Sequence, residues 1–234
     1  MFQMPLNQDL LPGEPFSTLS FTFGGTATGI EISELPKGLV ATTKDNTTTI
    51  SGTPTEAGSF TIKTKGGDNV VSYTVKIAQV NEELKRIAYI TDSTNDNYKS
   101  DKILSMLKSQ KDLYVRVINA DKVNPDVSLF DMVLISEVTP STAPVMASLK
   151  GINKPMLSMK VHGYKVADGA WGWATTGYGD NTVATTITVD IAMKNHPMFR
   201  DVTFVDGNDI QVVSAVNTKA ITYMNPESFT DANA

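Results

Sequence analysis

Along the first third of the chain, apolar side chains alternate with polar ones in short runs bounded by turn residues. Phe16 to Phe23 carries Phe16, Leu19, Phe21 and Phe23, the last three at period two, and stops at Gly24-Gly25. Gly29 to Ile32 is short and alternating, and Leu35 to Leu39 (LPKGL) reads as a turn. Thr47 to Ser51 is β-branched and ends at Gly52, and Ser59 to Thr64 places Phe60 and Ile62 on one face. After the turn Gly66 to Asn69, Val70 to Ile77 aligns Val71, Tyr73, Val75 and Ile77. Period-two runs without helical spacing predict strands, and their close succession predicts a small antiparallel β-sandwich over residues 1–79.

The pattern changes across residues 80–85, a short polar linker that is not glycine- or serine-rich, so the flanking domains are expected to dock. Arg86 to Thr91 (RIAYIT) has the β-branched character of a parallel strand buried on both faces. Ile103, Leu104, Met106 and Leu107 recur at helical spacing, predicting a helix from about 99 to 110 with that stripe on a sheet and a cap among Thr94, Asn95, Asp96 and Asn97. Leu113 to Ile118, Asp131 to Ser136 and Pro155 to Lys160 read as strands, with a second helix capped by Ser141 or Thr142 and ending near Leu149, ahead of Gly151. This alternation predicts a doubly wound parallel sheet within residues 86–234. Beyond Val161 the chain turns β-rich, with strands expected at Thr182 to Val189, Asp209 to Ala215 and Lys219 to Met224, a turn at Asn195-His196-Pro197, and a frayed end from Pro226.

Charge narrows the function classes. Lys and Arg number 20 against 25 Asp and Glu, without basic clusters, so a nucleic-acid surface is not expected. Apolar runs are strand-length, and no transmembrane segment is expected. With no cysteine there is no disulfide framework, thiolate metal site or cysteine nucleophile. The first ten residues lack a basic start and apolar core, and we expect a signal peptide to have been removed.

Two resemblances add context. Leu35-Pro36-Lys37-Gly38-Leu39 followed by Ile50 to Phe60 (ISGTPTEAGSF) resembles the bacterial immunoglobulin-like repeats with an ISGTPT-x-AG pattern, which act as spacers or adhesive stalks. Gly52 and Gly58 would supply turn dihedrals, Pro54 fixes φ, and Ile50 and Phe60 would be buried on the flanking strands. Phe130 to Glu137 (FDMVLISE), the Trp-rich loop and Asn195 to Phe199 (NHPMF) resemble the ThuA-like and class I glutamine-amidotransferase-like domains of secreted Bacteroidetes-type proteins. The resemblances imply a multidomain chain, an immunoglobulin-like sandwich followed by an α/β flavodoxin-like doubly wound sheet, in an extracellular or cell-surface setting.

Candidate chemistry is sparse. A glutaminase needs a cysteine at a strand-to-helix elbow, which is absent, and Ser136 lies outside any G-x-S-x-G context. The loop from Thr91 to Asn97 has the position of a phosphate cradle but lacks glycine and carries Asp92 and Asp96, so FMN is not expected, nor any other cofactor. Asp92, Asp96 and Glu137 could converge at strand ends around a divalent cation, or serve as solvated helix-start carboxylates; no metal is expected. His162, with Asp92 and Glu137, forms the weak catalytic set, whereas His196 reads as a turn residue. Tyr164, Trp171, Trp173 and Tyr178 form an aromatic cluster suited either to a sugar or protein partner or to a lid packed on the core. The expectation is a non-catalytic accessory or binding protein with a glycan or another surface protein as partner. Its rivals are a ThuA-like or glycan-acting enzyme and a purely structural interaction module.

Overall fold

The computed structural model describes residues 6–68, 70–94, 96–164, 171–172, 178–181, 183, 185–212 and 221–224; for 97, 161, 178–181 and 221–224 it describes the backbone alone. The chain divides into two compact units, one of residues 1–89, 99–117 and 126–133, the other of 90–98, 118–125 and 134–234. The described residues are β-rich, in several sheets with few helices.

Residues 7–79 of the first unit form seven strands, β1 (Asn7–Leu10), β2 (Leu19–Thr22), β3 (Gly29–Ile32), β4 (Leu39–Lys44), β5 (Thr47–Gly52), β6 (Gly58–Lys65) and β7 (Ser72–Gln79). They form two sheets, ordered β1-β7-β6-β3 and β2-β5-β4. Alternation sends Leu19, Ile50, Phe60, Ile62, Val75 and Ile77 into one core, with Phe16 and Phe60 tilted against each other at 6.2 Å. The pairing is not wholly antiparallel, because β1 joins β7 in parallel, Asn7 opposite Lys76. Neither β1 nor β4 is signalled by period two: NQDL is mostly polar, and in β4 only Leu39 is buried.

The LPKGL and ISGTPT pieces form one corner. Gly38 (φ +95°) and Gly52 (φ +130°) lie back to back, and a Cβ on either would stand 2.1–2.2 Å from a carbonyl oxygen, that of Thr53 or of Gly38. Thr55 N–H donates to the Lys37 carbonyl at 2.9 Å, and Lys37 N–H to Glu56 Oε1 at 3.2 Å. Gly58 plays a different part from the expected turn dihedral: it lies in β6, where a Cβ would meet the Pro36 ring at 3.0 Å. Ile50 and Phe60 are 0% and 1% exposed, as the pattern requires.

Downstream lie β8 (Lys85–Thr91), α1 (Lys102–Ser109), β9 (Leu113–Asn119), β10 (Met132–Ile135), α2 (Pro144–Leu149) and β11 (Met156–Ser158), with the sheet order β11-β10-β8-β9. Lys85 N–H bonds Asp112 O and Ala120 N–H bonds Thr91 O, while Asp131 N–H bonds Arg86 O and Ser136 N–H bonds Ile90 O. Both neighbours of β8 therefore run parallel to it. Ile87, Ala88, Tyr89 and Ile90 are all buried, the signature of a strand covered on both faces.

Helix α1 begins later than expected, because Asp101 is its cap: Oδ1 accepts from Ile103 N–H (2.9 Å) and Leu104 N–H (3.3 Å). Its other oxygen accepts the hydroxyl of fully buried Tyr89 at 2.5 Å, a tertiary contact that selects Asp101 over the local candidates. Of the expected stripe only Leu104 is buried, with Met106 56% exposed, so α1 presents a narrow face. Helix α2, in contrast, lacks a side-chain cap: Ala143 stands at the cap in place of Ser141 or Thr142, and Pro144 opens the first turn.

Two small sheets follow. Strand β12 (Tyr178–Asn181) pairs antiparallel with β16 (Ile221–Met224), and β13 (Thr186–Thr188), β14 (Phe204–Asp206) and β15 (Asp209–Gln211) take the order β13-β15-β14. Of the strand expected at Thr182 to Val189, the described residues show Thr186–Thr188 as strand, after which Asp190 accepts Ala192 N–H and starts a 3-10 turn. His196 caps the next one, its Nδ1 accepting from Met198 N–H at 3.3 Å. Residues 213–220 and the tail from 225 lie outside the described residues.

Candidate functional site

The carboxyl ends of the parallel strands are where an α/β sheet ordinarily offers a site. Here the groups bond one another. Thr91, Ser136 and Thr139 are each fully buried; Ser136 Oγ donates to Thr91 Oγ1 (2.9 Å), and Thr139 Oγ1 donates to the Ile90 carbonyl (3.1 Å). Such a closed hydroxyl network satisfies polar atoms that water cannot reach. Ser136, which directly follows β10, is thus a structural residue rather than an exposed nucleophile.

The three catalytic candidates have separate surroundings. Asp92 Oδ1 accepts the Thr94 hydroxyl (2.5 Å) and the Thr94 amide (3.0 Å), an Asx-turn whose bonds hold the carboxyl below the usual aspartate range, hydroxyl first. The Glu137 side chain is 76% exposed and 3.9 Å from Lys160 Nζ, which also donates to the Glu137 carbonyl at 2.9 Å. His162 is half-buried on a 3-10 turn, Val161–Tyr164. Among the described residues no three His, Asp or Glu side chains gather into a metal-sized cluster, Asp92, Asp96 and Glu137 included.

Trp171 has the lid placement rather than the exposed one. It is 1% exposed, its Nε1 donates to the Met146 carbonyl at 2.5 Å, and its ring meets Tyr164 edge-on at 5.2 Å. Lys150 Nζ donates to the Trp171 carbonyl. Burial raises the Tyr164 hydroxyl above the ordinary tyrosine pKa, against a smaller opposite pull from its bond to Ser158. Both rings are therefore committed to packing, and the local sequence explains it: Gly163 leaves the gap into which the Met146 methyl fits. Trp173 and the side chain of Tyr178 lie outside the described residues.

The sandwich, in contrast, has an open end. Period two puts Phe21 and Phe23 on the same inward face as Leu19, and Val71 and Tyr73 on the face of Val75 and Ile77. Toward this end burial runs out, from Val75 at 0% to Tyr73 and Val71 at 44%. The result is a groove of about 330 Å³, floored by Ile62 and Ile30 and edged by Ser20, Thr22 and Thr64, whose hydroxyls already pair with Thr49, Thr47 and the Val71 amide. Phe21 and Tyr73 stand 6.2 Å apart with planes at 33°, forming its aromatic wall. Sequence reasoning saw these residues only as core positions. The available signal was that the inward rows of Phe16 to Phe23 and Val70 to Ile77 run on into their glycine-rich turns. A second depression, of about 340 Å³ on β4 and β5, is lined by Thr42, Lys44, Asp45, Thr47 and Thr49. Two of its hydroxyls already pair across the sheet, Thr47 with Thr22 and Thr49 with Ser20.

No family model matches the sequence, and no curated protein matches it. Among solved structures, an endo-fucoidan hydrolase from glycoside hydrolase family 107 is 20% identical, with a TM-score of 0.26 over 37% of this chain and 16% of its own. A chimeric titin Z1Z2 bearing an exogenous decorin peptide is 18% identical, with a TM-score of 0.27 over 35% of this chain and 94% of its own. A candidate alpha-galactosidase from Bacteroides fragilis is 18% identical, with a TM-score of 0.25 over 56% of this chain and 27% of its own. The functional reading therefore rests on the chain's own residues.

Proposed function

We propose that this is a non-catalytic, surface-displayed binding protein that holds a glycan in the open end of its sandwich. The carrying observation is the groove at the open end of the sandwich, walled by Phe21 and Tyr73 and floored by Ile30 and Ile62. Aromatic faces stack on the C–H faces of sugar rings, and the groove's volume falls at the low end of the ~300–1,000 Å³ of small-molecule pockets. The candidate acid–base groups give the rival enzyme reading no comparable support, since Asp92 is bonded within its own turn and Glu137 is turned to solvent.

The same proposal takes residues 1–79 as an immunoglobulin-like module, 80–85 as the linker and 86–234 as a flavodoxin-like domain. The glycine corner supports the first, and the order β9-β8-β10-β11, second-first-third-fourth in sequence, supports the last. An extracellular setting follows from the module's resemblance to surface repeats.

A glycan microarray probed with the wild type and with Tyr73→Ala tests the reading. Tyr73 is half exposed, so the variant should fold. The expected result is a defined set of bound glycans whose signal falls about tenfold in the variant, equivalent to ~1.4 kcal/mol. Binding to no glycan, or equal binding by both proteins, would overturn it.

A further inference from the structure

We infer that Arg116 is a clasp that locks the sandwich to the first part of the parallel sheet, so that the two open together rather than as beads on a linker. Arg116 lies in β9, yet it reaches back across the sequence to the start of the sandwich. Nη1 pairs with Glu14 Oε1 at 2.6 Å, Nη2 donates to the Asp9 carbonyl at 2.9 Å, and Nε donates to the Tyr114 hydroxyl at 3.1 Å. Every nitrogen of the guanidinium therefore has an acceptor. The guanidinium carbon also lies 5.6 Å from the Tyr114 ring centre and 5.7 Å from that of Phe130.

The acceptors are themselves fixed. Asp9 belongs to β1, held in register along β7, and Glu14 Oε2 accepts the Leu11 amide at 2.8 Å. Leu11 is 1% exposed although it is not a member of the sandwich core. Both sides of the Arg116–Glu14 pair are about one-quarter exposed. Burial works against the charged guanidinium, but the bonds to Glu14 and Tyr114 outweigh it and raise its pKa above the ordinary arginine value. A forked, half-buried, ring-flanked arginine differs in kind from a solvated surface ion pair, which contributes little. The division of the chain agrees independently: residues 99–117 and 126–133 group with the sandwich, not with the remainder of the sheet.

The clasp gives the polar linker a consequence. Residues 80–85 need not be rigid themselves, because the connection they make is closed by a second tie far away in sequence. The sandwich and its groove are then held at one orientation on β9.

Hydrogen exchange under increasing urea, together with limited proteolysis of residues 80–85 in the full chain, tests this. In the wild type, amides of β6 and β9 should open with a common urea dependence, and the linker should resist cleavage. In Arg116→Met, which keeps the apolar stem and removes the donors, β9 should open at lower urea than β6 and the linker should be cut about tenfold faster. Glu14→Gln should move both readouts in the same direction, and the double variant should be no worse than Arg116→Met. Should Arg116→Met fail to fold, Glu14→Gln carries the same test. Independent opening of β6 and β9 in the wild type, or unchanged exchange and cleavage in the variants, would overturn the clasp.

Discussion

The carboxyl end of the parallel sheet and the open end of the sandwich are built from comparable material and finished differently. At the sheet end, Ser136 bonds Thr91 and Thr139 bonds the Ile90 carbonyl out of reach of solvent, and Trp171 gives its N–H to the Met146 carbonyl and meets Tyr164 edge-on. At the sandwich end, residues on the inward rows simply outrun the core, leaving Tyr73 and Val71 44% exposed beside Phe21. Position in the fold would favour the first as a binding site. Uncovered apolar surface favours the second, because an inward-facing aromatic row left in water is a standing free-energy cost that a ligand relieves.

Mutations can break this contrast, and the sheet end should respond most. Trp171→Ala should destabilise the protein by about 3–5 kcal/mol in urea unfolding, by opening a large cavity and orphaning the Met146 carbonyl; a loss under 1 kcal/mol would mean that Trp171 is not packed as described. At the glycine corner, Gly52→Ala forces a Cβ against the Gly38 carbonyl at a backbone angle that side chains avoid, and should cost about 1–3 kcal/mol, with the damage confined to sandwich amides in hydrogen exchange. Ser136→Ala removes one hydroxyl from the closed network and should cost about 1–2 kcal/mol by the same unfolding assay. Tyr73→Ala should instead leave stability within about 0.5 kcal/mol, as expected for an exposed position, while abolishing most binding.

The smallest effect concerns the amino end of the same sheet. The Arg86 amide and guanidinium, in that order, hold the Asp131 carboxyl below the usual aspartate range. A carboxyl depressed in the folded state contributes stability above its unfolded pKa of about 3.9 and loses it as pH falls through the lower folded value. Acid titration of unfolding should therefore show a slight destabilisation beginning near pH 4, absent in Asp131→Asn. The carboxyl is exposed to solvent, whose screening should keep the effect at the limit of detection.

How much of this was written in the sequence depends on the range of the interaction involved. Strands β3, β5, β6 and β8 were legible because burial on one or both faces imprints a local pattern. Strand β4 was not, since its register along β5 fixes it without an apolar face, and β1 was hidden because a parallel partner seventy residues downstream defines it. The ISGTPT corner was readable as a motif, but the reason for it, two glycines pressed back to back, needed coordinates. The start of α1 was set by Tyr89, a residue no local capping rule consults. The groove of the sandwich was not legible for a related reason. Trp171 looked like a platform because its loop is glycine-rich, whereas the exposure of Tyr73 depends on where two sheets stop covering each other.

The most direct test of the central claim is a solution titration of the full chain, labelled on its phenylalanine, tyrosine and histidine rings, with the strongest glycan found on the array. The Tyr73 and Phe21 ring signals should shift in saturable fashion while His162 stays in place, and the Phe21 shift should vanish in Tyr73→Ala. Saturable shifts centred on His162 with Tyr73 and Phe21 unmoved would contradict it.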